Sequence, residues 1–141
     1  MVDRDLVRRK MSRLNMYLKQ LTPVSKYSFK SYKEDTYLKF SAERLIQLIV
    51  DGAVDINNHV VVETEQRPPE DYRSSFLRAA EIKLITGELA EKIKGSAGLR
   101  NILVHEYMDV DDKIVYDSIF LVLENYREYL RQVDRFIKKI K

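Results

Sequence analysis

The sequence predicts an all-α protein, an antiparallel bundle of four or five helices, and three observations lead there. Apolar residues recur at spacings of three and four over most of the chain, the mark of amphipathic helices rather than strands. Only four glycines and three prolines punctuate 141 residues. Hydrophobic residues make up 45% and charged residues 33%, a balance that suits a folded helical protein and not a disordered one. A chain of 141 residues can bury one core without staples, so residues 1–141 read as a single domain.

Val7, Met11, Leu14, Leu18 and Leu21 form the stripe of a first helix, which Pro23 ends. A loop, VSKYSFK, follows. The stretch SYKE, Ser31 to Glu34, has the serine and glutamate of a capping box and predicts the start of the longest helix there. Leu38, Ala42, Leu45, Ile46, Ile49, Ala53, Ile56 and Val60 carry that helix to about His59. VETEQRPPE, with Pro68 and Pro69, reads as a loop. DYRSSFLRAAEIKLI predicts a shorter helix, and Thr86 with Gly87 a restart. Leu89, Ile93, Ala97, Arg100 and Val104 then share one stripe of a further helix. Within it, the glycines of GSAG, Gly95 and Gly98, each cost about 1 kcal/mol relative to alanine, so they either break the helix or admit a close neighbour. MDVDD predicts an end and then an N-cap at Asp111 or Asp112. The last helix turns Val115, Ile119, Val122, Leu123, Tyr126, Leu130, Val133 and Ile137 inward and ends in KKIK, a cationic terminus that suits the helix dipole.

Composition removes several classes of function. Without cysteine there is neither a disulfide framework nor a thiolate metal site, and two histidines make zinc an unpromising cofactor. The start, MVDRDLVRRK, is charged where a signal peptide is apolar, and the longest apolar run is LIQLIV, so the expected location is the cytoplasm with no membrane partner. No phosphate-binding glycine loop, dinucleotide fingerprint, HExxH or GxSxG pattern occurs. The net charge of +3 is unevenly spread: residues 1–33 carry +7 and the remainder −4. Such a basic segment can contact phosphates or serve as a solvated helix face.

The stretch LRNILVHEY, Leu99 to Tyr107, sets an arginine, a histidine and a tyrosine among apolar neighbours. At about 100° per residue, Arg100 and Tyr107 lie within about 20° of each other on a helix, whereas His105 lies about 140° from Arg100. On one straight helix the two cannot stack, so convergence needs a helix end, a long arginine reach or a second chain. Arginine with histidine and no metal is the minimum equipment for cutting RNA through its own 2′-hydroxyl: imidazole moves protons near neutral pH, and guanidinium holds phosphate oxygens. The product would carry a 2′,3′-cyclic phosphate, and no cofactor is required. An arginine snorkelling from a bundle helix and a histidine satisfying a nearby carbonyl would give the same spacing.

GLRNILVHEYMDVDDKIVYD closely resembles the signature of HepT-like proteins, a branch of the HEPN superfamily, marked by arginine, four residues, histidine, any residue and tyrosine. AERLIQLIVDGAVDINNHVV resembles the family's long second helix, and PPEDYRSSFLRAAEIKLITGELAEKI the segment leading to the motif; the likeness runs from about Thr36 to Tyr126. The resemblance implies a bundle that dimerises through its motif helices to form a composite ribonuclease site. It further implies a toxin whose antitoxin, an MntA-like minimal nucleotidyltransferase, transfers AMP to the motif tyrosine. Carried onto this chain, Arg100 and His105 become the catalytic pair and Tyr107 the AMP acceptor. An AMP beside Arg100 would compete with the RNA phosphate.

Asp55 and His59, one turn apart on the second helix, are candidates to support His105 or line the cleft, or else a local pair at a helix end. KYSFKSYK could stack bases beside phosphates or close one end of the bundle. Two other functions fit the sequence: a non-catalytic acceptor subunit for a nucleotidyltransferase, and an RNA-binding helical scaffold.

Overall fold

The computed structural model describes residues 1–105 and 110–140. Asp3 opens the first helix, its carboxylate accepting the Leu6 amide, and α1 (Arg4–Leu21) buries Val7, Leu14, Leu18 and Leu21. Pro23 does not stop the chain abruptly. It occupies the start of a 3₁₀ turn, Thr22–Lys26, where its missing N–H costs nothing.

The predicted capping box needs correction. Ser28, not Ser31, caps a short helix α2 (Phe29–Glu34), so Ser31 lies inside it. Asp35 then ends α2 and caps the long helix α3 (Thr36–Glu65) by accepting the Leu38 amide. Its carboxylate satisfies a donor that the pattern assigned to serine elsewhere. Helix α3 also runs past His59 to Glu65, where Gln66 takes a left-handed φ of 62°. By length and composition α3 could cross a membrane, yet half of its most apolar stretch is buried in this core.

Asp71 caps α4 (Tyr72–Glu81), which ends four residues before the predicted Ile85. There the Leu84 amide bonds the Ala79 carbonyl and the Lys83 amide the Ala80 carbonyl, a Schellman closure with Lys83 left-handed at φ 64°. Burial of Leu84 fixes that turn.

Thr86 caps α5 (Gly87–Ile93). The stripe expected to continue as one helix is instead divided at Lys94, and α6 (Gly95–His105) begins anew. The Ser96 hydroxyl donates to the Ile93 carbonyl at the break and meets the Tyr126 hydroxyl at 2.7 Å, which ties the start of α6 to the last helix. Asp111 caps α7 (Asp112–Lys139) by accepting from Lys113 and Ile114.

Helix α3 is the hub. Asp3–His59 and Lys10–Asp55 contacts set α1 antiparallel to it, while Lys39–Asp112 and Asn57–Tyr129 run α7 alongside in the same direction. The Tyr129 hydroxyl donates to Asn57 Oδ1 at 2.6 Å, Asn57 donates to Ser75 Oγ, and Ser75 donates to the Tyr72 carbonyl. This buried relay joins α7, α3 and α4, and leaving one of its groups unpaired costs about 1–3 kcal/mol. The aromatic stretch near α2 closes one end of the bundle: Phe29 and Tyr32 pack on Tyr116.

Candidate functional site

Three helices bring one polar residue each to the side of the bundle, two of them charged. Ser96, pinned to Tyr126, fixes the first turn of α6, and Arg100 follows one turn later. The relay through Ser75 fixes the backbone of Tyr72 at the start of α4. Asp51 stands at the middle of α3, between the buried Val50 and Ala53.

These meet around one oxygen. Asp51 Oδ1 accepts from Arg100 Nε at 2.8 Å and from the Tyr72 hydroxyl at 2.9 Å. The Arg100 guanidinium lies 4.5 Å over the Tyr72 ring, a cation–π contact that holds its plane. Burial, then the bond and charge of Asp51, push the Tyr72 phenol above its ordinary value, so it remains a donor. With Nε engaged and the plane fixed, Arg100 has its terminal nitrogens left to bind an anion; one of them reaches Asn101 Oδ1 at 3.3 Å. A guanidinium so oriented suits bidentate recognition of phosphate. Among the described residues, no group of three or more His, Cys, Asp or Glu side chains is placed to hold a metal ion.

Among the described residues, His105, Asp55 and His59 make no hydrogen bond to this cluster. His105 is exposed and is the last described residue of α6, and Arg100 turns toward α3 and α4 rather than toward it. Tyr107 lies outside the described residues. Asp55 and His59 turn to α1: Lys10 Nζ lies 3.5 Å from Asp55, and His59 Nε2 accepts the Asp3 amide at 2.9 Å. In this chain they tie α1 to α3. Sequence reasoning missed Asp51 and Tyr72. The signal for Asp51 was a carboxylate within the apolar run LIVDGAV; Tyr72 had none beyond its place at a helix start.

The outer face of α6 is uncovered. A Cβ at Gly95 or Gly98 would meet nothing within 4 Å, and Ile102 and Leu121 are exposed beside them on α6 and α7 at 40% and 58%.

Solved structures share this architecture. A toxin–antitoxin complex with AMP-PNP superposes with a TM-score of 0.84 at 26% identity, covering 93% of this chain and 98% of that one. Tri-AMPylated Shewanella oneidensis HEPN toxin in complex with MNT antitoxin superposes with a TM-score of 0.83 at 27% identity over the same shares. The bundle is therefore of the HEPN toxin type. At the level of sequence, the HepT-like ribonuclease profile matches residues 14–133. The tRNA nuclease HepT of Aphanizomenon flos-aquae is 31% identical over 132 residues, 94% of this chain and 90% of that protein. The mRNA nuclease HepT of Shewanella oneidensis is 31% identical over 99 residues, 70% of this chain and 74% of that protein. The chain belongs to the HepT-like ribonuclease family.

Proposed function

We propose that the protein is a homodimeric, metal-independent endoribonuclease of the cytoplasm, the toxin of a two-component module neutralised by an MntA-like nucleotidyltransferase that adds AMP to Tyr107. The observation that carries this reading is Arg100, which Asp51 and Tyr72 fix while Nη2 has no hydrogen-bond partner among the described residues and Nη1 holds only a long bond to Asn101, so that the pair can turn to a phosphate. The nuclease names of the two relatives and the antitoxin-bound state of the two structural neighbours support it.

The chemistry needs no imported nucleophile, because RNA supplies the 2′-hydroxyl. The 2′-oxygen attacks phosphorus and the bond from phosphorus to the 5′-oxygen breaks. A His105 imidazole accepts the 2′-proton, and water supplies the proton that the departing oxygen takes up. Arg100 stabilises the charge that develops on the phosphoryl oxygens. The uncovered glycine and isoleucine face of α6 supports a partner copy seated there, bringing its own Arg100 and His105 into the same cleft.

Because His105 is exposed, His105→Ala is expected to keep the helical circular dichroism and melting temperature of the wild type. It should lower RNA cleavage by about 10²–10⁴-fold, the usual worth of general acid–base catalysis. Undiminished cleavage or toxicity would overturn the assignment. Incubated with the nucleotidyltransferase, ATP and Mg²⁺, the protein should gain mass in AMP units and Tyr107→Phe should gain none; addition to that variant would place the modification elsewhere.

A further inference from the structure

A cavity of about 370 Å³ opens between α1 and α3, with Arg9, Lys10, Arg13 and Tyr17 on one wall and Asp51 and Asp55 on the other. Its floor is Gly52, where a Cβ would stand 3.5 Å from Leu14 Cδ1. The two acids are already engaged: Asp55 faces Lys10, and Asp51 accepts from Arg100 and Tyr72. Arg9 and Arg13 are exposed, and among the described residues neither has an ion-pair partner. They are one helical turn apart on the same face, where like charges repel, and Tyr17 follows after another turn. Two unneutralised guanidiniums in a row, followed by an aromatic ring, form a strip suited to a chain of phosphates with bases between them. The strip ends at Asp51, the carboxylate that holds Arg100.

We propose that this groove is the track for the single-stranded RNA flanking the cleavage position, with Arg9 and Arg13 on successive phosphates and Tyr17 stacked on a base. The proposal rests on the ribonuclease reading above and adds to it a substrate-binding site on α1. It also gives the excess positive charge of residues 1–33 a place to act. A dinucleotide offers a single phosphate, which Arg100 occupies, and so draws nothing from the track.

The test compares wild type with Arg9→Ala/Arg13→Ala on a single-stranded oligoribonucleotide and on a dinucleotide, with oligonucleotide binding followed by fluorescence anisotropy across salt concentrations. The advantage in KM that the oligonucleotide holds over the dinucleotide should shrink about tenfold, and the slope of log affinity against log salt should fall by about 1.4, two phosphates at about 0.7 each. Arg9→Lys/Arg13→Lys, which keeps the charges, should restore most of both. An unchanged salt slope would overturn the track, as would equal losses on both substrates. So would a variant that binds RNA normally but no longer binds the antitoxin, since the groove would then serve an acidic protein surface. A wild type that binds the oligonucleotide through these arginines yet cleaves neither substrate would leave the track standing and refute the nuclease reading.

Discussion

The Asp51 carboxylate holds two donors at once, the Arg100 Nε–H and the Tyr72 hydroxyl. Removing it frees the guanidinium to swing and leaves both donors in search of water. Asp51→Ala is expected to lower kcat roughly 10–100-fold, the effect of misplacing a group that must meet a transition state, while costing roughly 1–2 kcal/mol of stability. Asp51→Asn, which keeps an acceptor oxygen, should recover part of kcat; a lowered melting temperature with kcat unchanged would make Asp51 a structural residue only. The arginine and histidine of this account came from the extended likeness of GLRNILVHEYMDVDDKIVYD to the family signature, since their spacing alone also fits a snorkelling arginine and a histidine satisfying a carbonyl. Asp51 was not legible, because Asp51 and Asp55 lie one turn apart on the same helix, and only the packing of α1, α4 and α6 around α3 decides which of them meets the arginine. Periodicity places a residue on a face; it does not say which neighbour that face receives.

At the scale of elements, the stripes read from the sequence lie on helices, but one of them is divided between α5 and α6. The stretch read as a loop before α3 holds a 3₁₀ turn and the start of α2, and the other errors fell at the ends. The serine–glutamate pair of Ser31 and Glu34 matched a capping box, yet Asp35 sits nearer the point where the backbone leaves the short α2 and enters α3. Asp35→Ala should therefore destabilise the protein by about 1 kcal/mol, the usual worth of an N-cap, and Ser31→Ala by far less. Urea denaturation reads both, and equal losses would restore the cap to Ser31. Lys83 shows a second limit, since a left-handed lysine carries no local signal and is fixed by the buried Leu84 that follows it. The division between α5 and α6 was half legible: the glycines announced a break or a close approach, and the chain uses the break while leaving the glycine surface uncovered.

For the whole molecule, the core was legible because each helix carried its own apolar stripe, and these merge into one buried cluster. What the sequence carried only through its likeness to a family is the relation between two copies. Arg100 reaches into its own bundle to Asp51, His105 lies exposed on α6, and about 140° of helix separates them. The proposed site is therefore one that the histidine of a partner copy completes. The most direct measurement is complementation: Arg100→Ala and His105→Ala proteins, each inactive alone, are mixed under conditions that exchange subunits. A heterodimer pairs the intact arginine of one copy with the intact histidine of the other, so the account predicts that a fraction of RNA cleavage returns as heterodimers form. Confirmed heterodimers without any cleavage would show that arginine and histidine act within one chain, and would contradict the composite site.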